Sequence, residues 1–324
     1  MKIAVLGCGS IGRRHALNLA ALPDVRVLAL DPDPGKRAEM EALGIRFLDY
    51  DLASLWREKP DVCVVAAPSR DHLALSVAAA RQGCHLFIEK PLAVTEEGLD
   101  ELETACREKG LVQMVACNMR FHAGPAALKR WVDEGRLGKL IYGRFKTGSY
   151  LPAWRPQTDY RMSYSASPES GGVILDCIHE LDLAAWILGP ACFHSSVVLP
   201  ASGLGLSTDG LAEIVCRHGE GVLGSIHLNF IQRDYQREVE IIGSEGSARW
   251  NIREGKAELY DQNGNVAESK SGAGLHTVDA MYVEEMKHFL DAVRTKEIPY
   301  NTLSEARATL RVALQARAAA GAWK

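Results

Sequence analysis

Short apolar runs alternating with helix-like segments constrain this chain more than any other feature. In its first third the runs are KIAVLG (2–7), VRVLAL (25–30), DVCVVAA (61–67), HLFIE (85–89) and LVQMVAC (111–117). Helix-like segments lie between them, around 11–21, 35–42, 71–82 and 95–109. Strands so uniformly apolar have no solvent face, so they belong in a parallel sheet covered by helices on both sides. The crossovers joining them should be right-handed.

The first run ends in Gly7-Cys8-Gly9-Ser10-Ile11-Gly12, a G-x-G-x-x-G pattern between a strand and a helix. That context turns a weak motif into a dinucleotide-binding reading. Gly7 permits the tight turn, Gly9 lets a pyrophosphate approach the backbone, and Gly12 lets helix and strand pack closely. Ser10 and Ile11 open the helix, whose N-terminal N–H groups and dipole favour an anion. Asp31 ends the second run about 20 residues later, where an acidic partner for a ribose hydroxyl belongs. Its carboxylate would repel a 2′-phosphate, so NAD is favoured over NADP, although Lys36 and Arg37 stand nearby. The alternative is a glycine turn in a nucleotide-free α/β domain.

Ligands of such sheets lie outside the carboxyl ends of the strands. Ala66-Ala67-Pro68-Ser69 ends the third run, and Ala67 and Pro68 are placed to lay backbone along the nicotinamide half of a cofactor. Glu89-Lys90-Pro91 ends the fourth. A charged pair closing a core strand reads elsewhere as a surface ion pair, but at this edge Lys90 projects into the ligand crevice; Glu89 either holds it in place or faces away.

After about residue 120 the pattern changes. A helix near 125–134 precedes LIYGRFKTGSYL (140–151), a polar and aromatic stretch (152–172), and one apolar helix over 173–188. Strand candidates follow at 193–199, 209–217, 222–230, 235–243, 246–250 and 256–260, spaced as in an antiparallel sheet. Residues 262–274 read as an exposed loop, and helices near 279–295 and 302–320 close the chain. Within the 173–188 helix, Asp176 and His179 are three apart and share a face. A polar pair in so apolar a helix needs partners; a hydrogen-bonded core histidine is the plain alternative to a functional one.

The 324 residues and net charge of −4 suggest two domains at about 150 residues each and give nucleic acid no electrostatic attraction. No two of the eight cysteines form a C-x-x-C pair, so no metal site is expected. Several cysteines lie in apolar runs, which fits a reducing, cytoplasmic compartment. The apolar start is too short for a signal peptide and reads as a strand. No run is long enough to span a bilayer, so no membrane partner is expected.

The glycine motif at 7–12, EKP at 89–91, NMRF at 118–121 and GGVILDCIHELDLAAWILG at 171–189 together resemble the glucose–fructose oxidoreductase / inositol dehydrogenase / MocA family over nearly the whole chain. The resemblance implies an α/β N-terminal Rossmann domain at 1-119. It also implies an α+β domain at 120-324 with a large open, mainly antiparallel sheet that pairs copies into a homodimer or homotetramer. It implies a pyridine nucleotide and a sugar, polyol or sugar-derived substrate. The family's lysine maps onto Lys90, often preceding a cis proline, here Pro91, and its aspartate and histidine map onto Asp176 and His179. Many members space that pair as D-x-x-x-H, whereas this chain has D-x-x-H, which leaves the facing of Asp176 open. Trp154 and Arg155 resemble a pair that reaches the cofactor from the second domain in some relatives. Asn118, Arg120, Tyr160 and Tyr164 are candidate pocket residues.

The chemistry expected is hydride transfer between nicotinamide and a carbinol carbon, with proton transfer at its oxygen. Lys90 and His179 should converge on that oxygen. An imidazole titrates near neutral pH and suits the proton, while an ammonium stabilises alkoxide charge; Lys90 as the direct proton acceptor stays open. Asp176 is placed to hold a hydroxyl or orient His179. Competing readings are a redox-neutral NAD-dependent glycosidase of the same family and a non-catalytic NAD-sensing regulator.

Overall fold

The computed structural model describes residues 1–48, 50–275 and 279–319. The chain divides into two compact units, Met1–Ala116 with Tyr282–Arg307, and Cys117–Met281 with the segment from Ala308 onward.

The first unit is built on β1 (Lys2–Leu6), β2 (Arg26–Leu30), β3 (Arg46–Leu48), β4 (Val62–Val65), β5 (His85–Ile88) and β6 (Gln113–Val115). Their order is β3-β2-β1-β4-β5-β6, every pair parallel. Helices α1 (Ser10–Ala20), α2 (Lys36–Ala42), α3 (Leu52–Arg57), α4 (His72–Arg81) and α5 (Leu99–Glu108) make the crossovers. This is the doubly wound sheet read from the apolar runs, and Val62–Val65 lie wholly inside it. The strand order reverses between β1 and β4, which opens a crevice at their carboxyl ends. Neither β3 nor α3 stands out in the sequence. The strand is a three-residue edge, and the helix is short and held at its start by Asp51, which accepts from the Ala53 and Ser54 N–H groups.

A domain running from 120 to 324 does not match the packing: Tyr282–Arg307 clusters with the first unit, and the chain changes unit at Ala116/Cys117. The reason is the outer edge of β6. Asn301 accepts from the Val115 N–H at 2.9 Å and donates its side-chain amide to the Val115 carbonyl at 2.8 Å. Phe289 packs edge-on against Phe87 with centroids 5.4 Å apart, and Arg307 pairs with Asp100 and Glu103.

The second unit contains α6 (Ala123–Asp133), β7 (Leu140–Tyr150), α7 (Val173–Asp176), α8 (His179–Leu188), β8 (Ala191–Pro200), β9 (Asp209–His218), β10 (Val222–Asn229), β11 (Ile231–Gly243), β12 (Ser247–Asn251), β13 (Lys256–Tyr260) and β14 (Val266–Ser271). The last helices of the chain are α9 (Asp279–Thr295) and α10 (Leu303–Ala318). The sheet runs β14-β13-β12-β11-β7-β10-β9-β8 and is antiparallel except where β10 pairs parallel with β7. Helices α6, α7 and α8 cover one face. The other is open: Leu223 and Ile242 both pair with Tyr142 in one row and remain 48% and 37% exposed.

Two expectations fail here. The helix over 173–188 is interrupted at Cys177-Ile178, where the Glu180 N–H reaches back three residues to the Cys177 carbonyl instead of four. Asp176 therefore ends one helix and His179 begins the next. The loop at 262–274 contains β14, an edge strand exposed along nearly its whole length; with no buried face it shows no apolar alternation to read.

Among the described residues no helix is long and apolar enough to cross a membrane, and no group of three or more His, Cys, Asp or Glu is placed to hold a metal.

Arg120, expected among the pocket residues, is buried in an ion pair. Its guanidinium grips the Asp182 carboxylate through Nε at 2.9 Å and Nη2 at 2.6 Å, with both side chains buried. This pair fastens the turn before α6 to α8. Removing one partner leaves a buried charge uncompensated, so Arg120→Ala should lower stability by about 3–5 kcal/mol, read from the midpoint of urea unfolding; a loss under about 1 kcal/mol would mean water replaces the guanidinium.

Candidate active site

The carboxyl edge of the first sheet gathers most of the expected cofactor residues. Gly7 adopts φ +95°, and a Cβ there would lie 2.6 Å from the Ala66 carbonyl oxygen; a Cβ on Gly12 would lie 1.8 Å from the Gly7 carbonyl oxygen. These two glycines let the first turn press against the end of β4. Gly9 differs, with nothing within 4 Å of a Cβ placed on it, so the outer side of the loop is open. No side chain caps the start of α1, and its first N–H groups stay available to an anion. Asp31 is bound to the loop itself: Oδ2 accepts from the Cys8 N–H at 2.6 Å and Oδ1 from the Asp33 N–H at 2.8 Å. Each carboxylate oxygen keeps a second acceptor site. An open glycine backbone, an uncapped helix start and an oriented carboxylate fit the pyrophosphate and ribose of a dinucleotide.

Glu89 is turned inward. Its Oε1 lies 2.7 Å from His15 Nε2, in the interior, and its Oε2 accepts from the Lys90 N–H at 3.2 Å. His15 comes from α1, three residues after Gly12, so one carboxylate joins the glycine-loop helix to the backbone of Lys90. Burial pushes the Glu89 carboxyl up, but the hydrogen bond and charge of His15, with Lys90 and His72 beyond, outweigh it and hold the group below its ordinary 4.5. The Lys90–Pro91 bond is cis, as the resemblance implies, and Lys90 is half-buried.

His72, at the start of α4, spans the neighbouring turns. Its ring nitrogens lie 2.8 Å from the carbonyl oxygens of Ala67 and Pro91. Ala67 and Lys90 thus sit on two turns fastened by one buried imidazole, whose pKa burial pushes down. Neither His15 nor His72 was picked out from sequence. The available signal was a histidine on the inner side of an apolar helix, which alone does not separate a brace from a core residue.

In the second unit, Asp176 opens onto a cavity of about 390 Å³ shared with Trp154, Thr147, Ser149, Arg233 and Arg237. Its walls come from β7, the bulged start of β11, the turn after β7, and the end of α7. Trp154 lies edge-on to Phe230 and donates from Nε1 to Ser149 Oγ at 3.0 Å. Arg237 is held by Glu180, Nε to Oε1 at 2.6 Å, and by the Met119 sulfur. Burial disfavours the Arg237 charge, yet Glu180 more than offsets it and keeps the guanidinium protonated. His179 is buried at the first position of α8 and Asn118 is buried before α6.

The remaining expected residues are engaged locally. The Tyr160 hydroxyl donates to the Leu204 carbonyl at 2.8 Å, which fastens its loop to the turn after β8, and Arg155 lies over the Tyr164 ring. The arginines of β11 went unnoticed in the sequence, because a strand with charges at every few positions reads as a solvated edge.

Comparison with known proteins agrees with both halves of this description. Residues 1–117 match the model of an oxidoreductase family with an NAD-binding Rossmann fold, and residues 126–249 match that of the GFO/IDH/MocA C-terminal domain. Over 309 residues the chain is 29% identical to myo-inositol 2-dehydrogenase of Thermotoga maritima, covering 92% of this chain and 90% of that protein. It is 28% identical to levoglucosan dehydrogenase of Pseudarthrobacter phenanthrenivorans, over 78% of this chain and 73% of that one. A solved structure of levoglucosan dehydrogenase with NADH and levoglucosan superposes with a TM-score of 0.88 at 20% identity, covering 99% of this chain and 97% of the other.

The Glu89 arrangement has a pH signature. A carboxyl held below 4.5 in the fold stabilises it fully above that pH and loses the contribution as pH falls through the lowered value. Glu89→Gln should therefore cost stability at neutral pH and flatten the acid limb of the stability–pH curve, measured by urea unfolding on both sides of pH 4.5. An acid limb as steep as the parent's would assign the proton uptake to other carboxylates.

Proposed function

Because the chain belongs to the GFO/IDH/MocA oxidoreductase family, with its NAD-binding Rossmann fold, we propose that it transfers a hydride between NAD and a carbinol or ketone of a sugar, polyol or sugar derivative. The observation that carries this reading is the Glu89-Lys90-Pro91 turn. A lysine closes a buried strand at the ligand edge of a dinucleotide-binding sheet, with its backbone N–H braced by a buried carboxylate. The inositol and levoglucosan dehydrogenases among its relatives support the substrate class.

Gly7, Gly9, Ser10, Ile11 and Gly12 would cradle the pyrophosphate, Asp31 the adenosine ribose, and the turns at Ala67-Pro68 and Glu89-Lys90 the nicotinamide half. Asp31 favours NAD, since its carboxylate accepts from a 2′-hydroxyl and repels a 2′-phosphate. When bound, the nicotinamide takes or returns the hydride. Lys90 offers its ammonium to the negative charge that develops on the substrate oxygen, and the His179 imidazole takes the oxygen's proton in oxidation and returns it in reduction. Asp176 accepts a substrate hydroxyl within its cavity. Trp154 lines that same cavity, which supports a substrate-side role for it; Arg155, exposed beside Tyr164, is a cofactor-side candidate. Asn118 and Tyr164 remain substrate-side candidates.

The reading extends to assembly and compartment. The open sheet face with its Leu223–Tyr142–Ile242 row supports pairing of copies into a homodimer or homotetramer, which removes apolar area from water. All eight cysteines are outside disulfides and only Cys192 is exposed, which supports a reducing cytoplasm.

Lys90→Ala should lower kcat at least about 100-fold, the scale of losing one oxyanion-stabilising donor, while NAD binding followed by fluorescence survives. The assay is the absorbance of reduced nicotinamide across sugars, inositols and sugar acids. Near-normal turnover in the variant would remove Lys90 from the chemistry. Sugar release from glycosides without net NADH would overturn the dehydrogenase reading.

A further inference from the structure

We propose that the cavity of the second unit is built for a carbohydrate bearing an anionic group, a carboxylate or a phosphate, with Arg233 as the residue that recognises it. The inference rests on the carbohydrate reading above and narrows its substrate class.

The local backbone sets the site up. Strand β11 pairs Ile231 with Tyr150 and next pairs Gln236 with Gly148, so β11 uses five steps where β7 uses two. The surplus residues bulge from the ladder, and a bulge re-aims side chains at a sheet margin. Arg233 lies within this bulge and on the cavity wall. Its guanidinium carbon sits 3.8 Å from the centroid of the Tyr150 ring. Cation–π contact at that distance uses the flat face of the guanidinium. The in-plane N–H fork is left to point outward, and that fork is what matches a carboxylate or phosphate through two parallel hydrogen bonds.

The neighbouring charges leave this cation uncompensated. Among the described residues no carboxylate pairs with Arg233. Asp234, the next residue, is engaged by Arg253 at 3.0 Å and by the Gln236 amide at 2.5 Å. The other arginine of the cavity, Arg237, is already neutralised by Glu180 at 2.6 Å. Asp176 is the acidic residue of the walls and stands on α7, away from the bulge in sequence and on another element. A neutral polyol would leave the Arg233 fork to water, whereas an anionic substituent fills it. Ser149 and Thr147 on β7 supply hydroxyls for the neutral part of the same ligand.

The test is calorimetric binding to the NADH-loaded full chain of three matched probes: glucose, glucuronate and glucose 6-phosphate. At least one anionic probe should bind about 30-fold more tightly than glucose, the scale of hydrogen bonds to a charged group. Arg233→Ala should erase most of that preference while changing glucose binding far less. Arg233→Lys should retain more of a phosphate preference than of a carboxylate one, because only the guanidinium is bidentate; this arm identifies which anion the fork prefers. Equal binding of all three probes by the parent, or a preference that survives in Arg233→Ala, overturns the proposal. Fresh chain given NAD and the same three probes, assayed for NADH, separates the two readings: preference without hydride transfer counts against the enzyme reading, and hydride transfer with no preference counts against the subsite.

Discussion

A carboxylate buried at the end of β5 governs how the rest of the first unit is arranged. Taking a charge out of water is costly unless hydrogen bonds and opposite charge surround it. Glu89 meets that requirement with two partners from different places, the His15 ring on α1 and the N–H of Lys90. The His15 ring is itself held edge-on between Phe87 and Tyr282, so it cannot shift far without leaving the charge short of a partner. The glycine loop that opens α1 and the lysine that follows Glu89 are therefore located by one interaction. One turn over, the buried His72 ring lies between the Ala67 and Pro91 carbonyls and, when neutral, donates to one of them. Pre-positioning of this kind lets an active site work without reorganising as charge develops.

Much of the first unit was legible in the sequence because local chemistry determines it. A strand buried on both faces is apolar throughout, and a tight turn against another strand needs Gly7. Parts whose stability comes from distant partners were not legible. Arg120 is claimed by Asp182 across 62 positions, so it reads as a pocket residue until the fold is known. The interruption at Cys177-Ile178 leaves no glycine or proline to betray it. Strand β14 has no alternation because no side of it is covered, and β3 is too short to show any. Nothing in the composition of 282–307 reveals that it completes a sheet begun at the other end of the chain.

The second unit shows one sheet doing different things on its two faces and at its margin. The helix-covered face buries Phe145, Val239, Ile226 and Ile241, a strictly alternating pattern that the sequence exposes plainly. The opposite face is left with an apolar row beside the charged Arg144–Glu240 row. The margin, where β11 falls out of register against β7, carries the cavity. Sequence periodicity speaks to the first two, since alternation is a property of regular strands. It is silent about the margin, because a bulge abolishes the alternation on which such a reading depends.

The seal that Asn301 places on β6 bears on how the protein is born. A chain emerging from the ribosome completes its six parallel strands by Val115, yet the outermost one has an unsatisfied Val115 N–H and carbonyl until almost two hundred further residues have been added. In that interval the nascent sheet presents an adhesive border of the kind that recruits other chains. Native closure of the nucleotide-binding half thus waits until residue 301 has been made, and a fragment ending at residue 119 would carry the glycine loop but keep that border open.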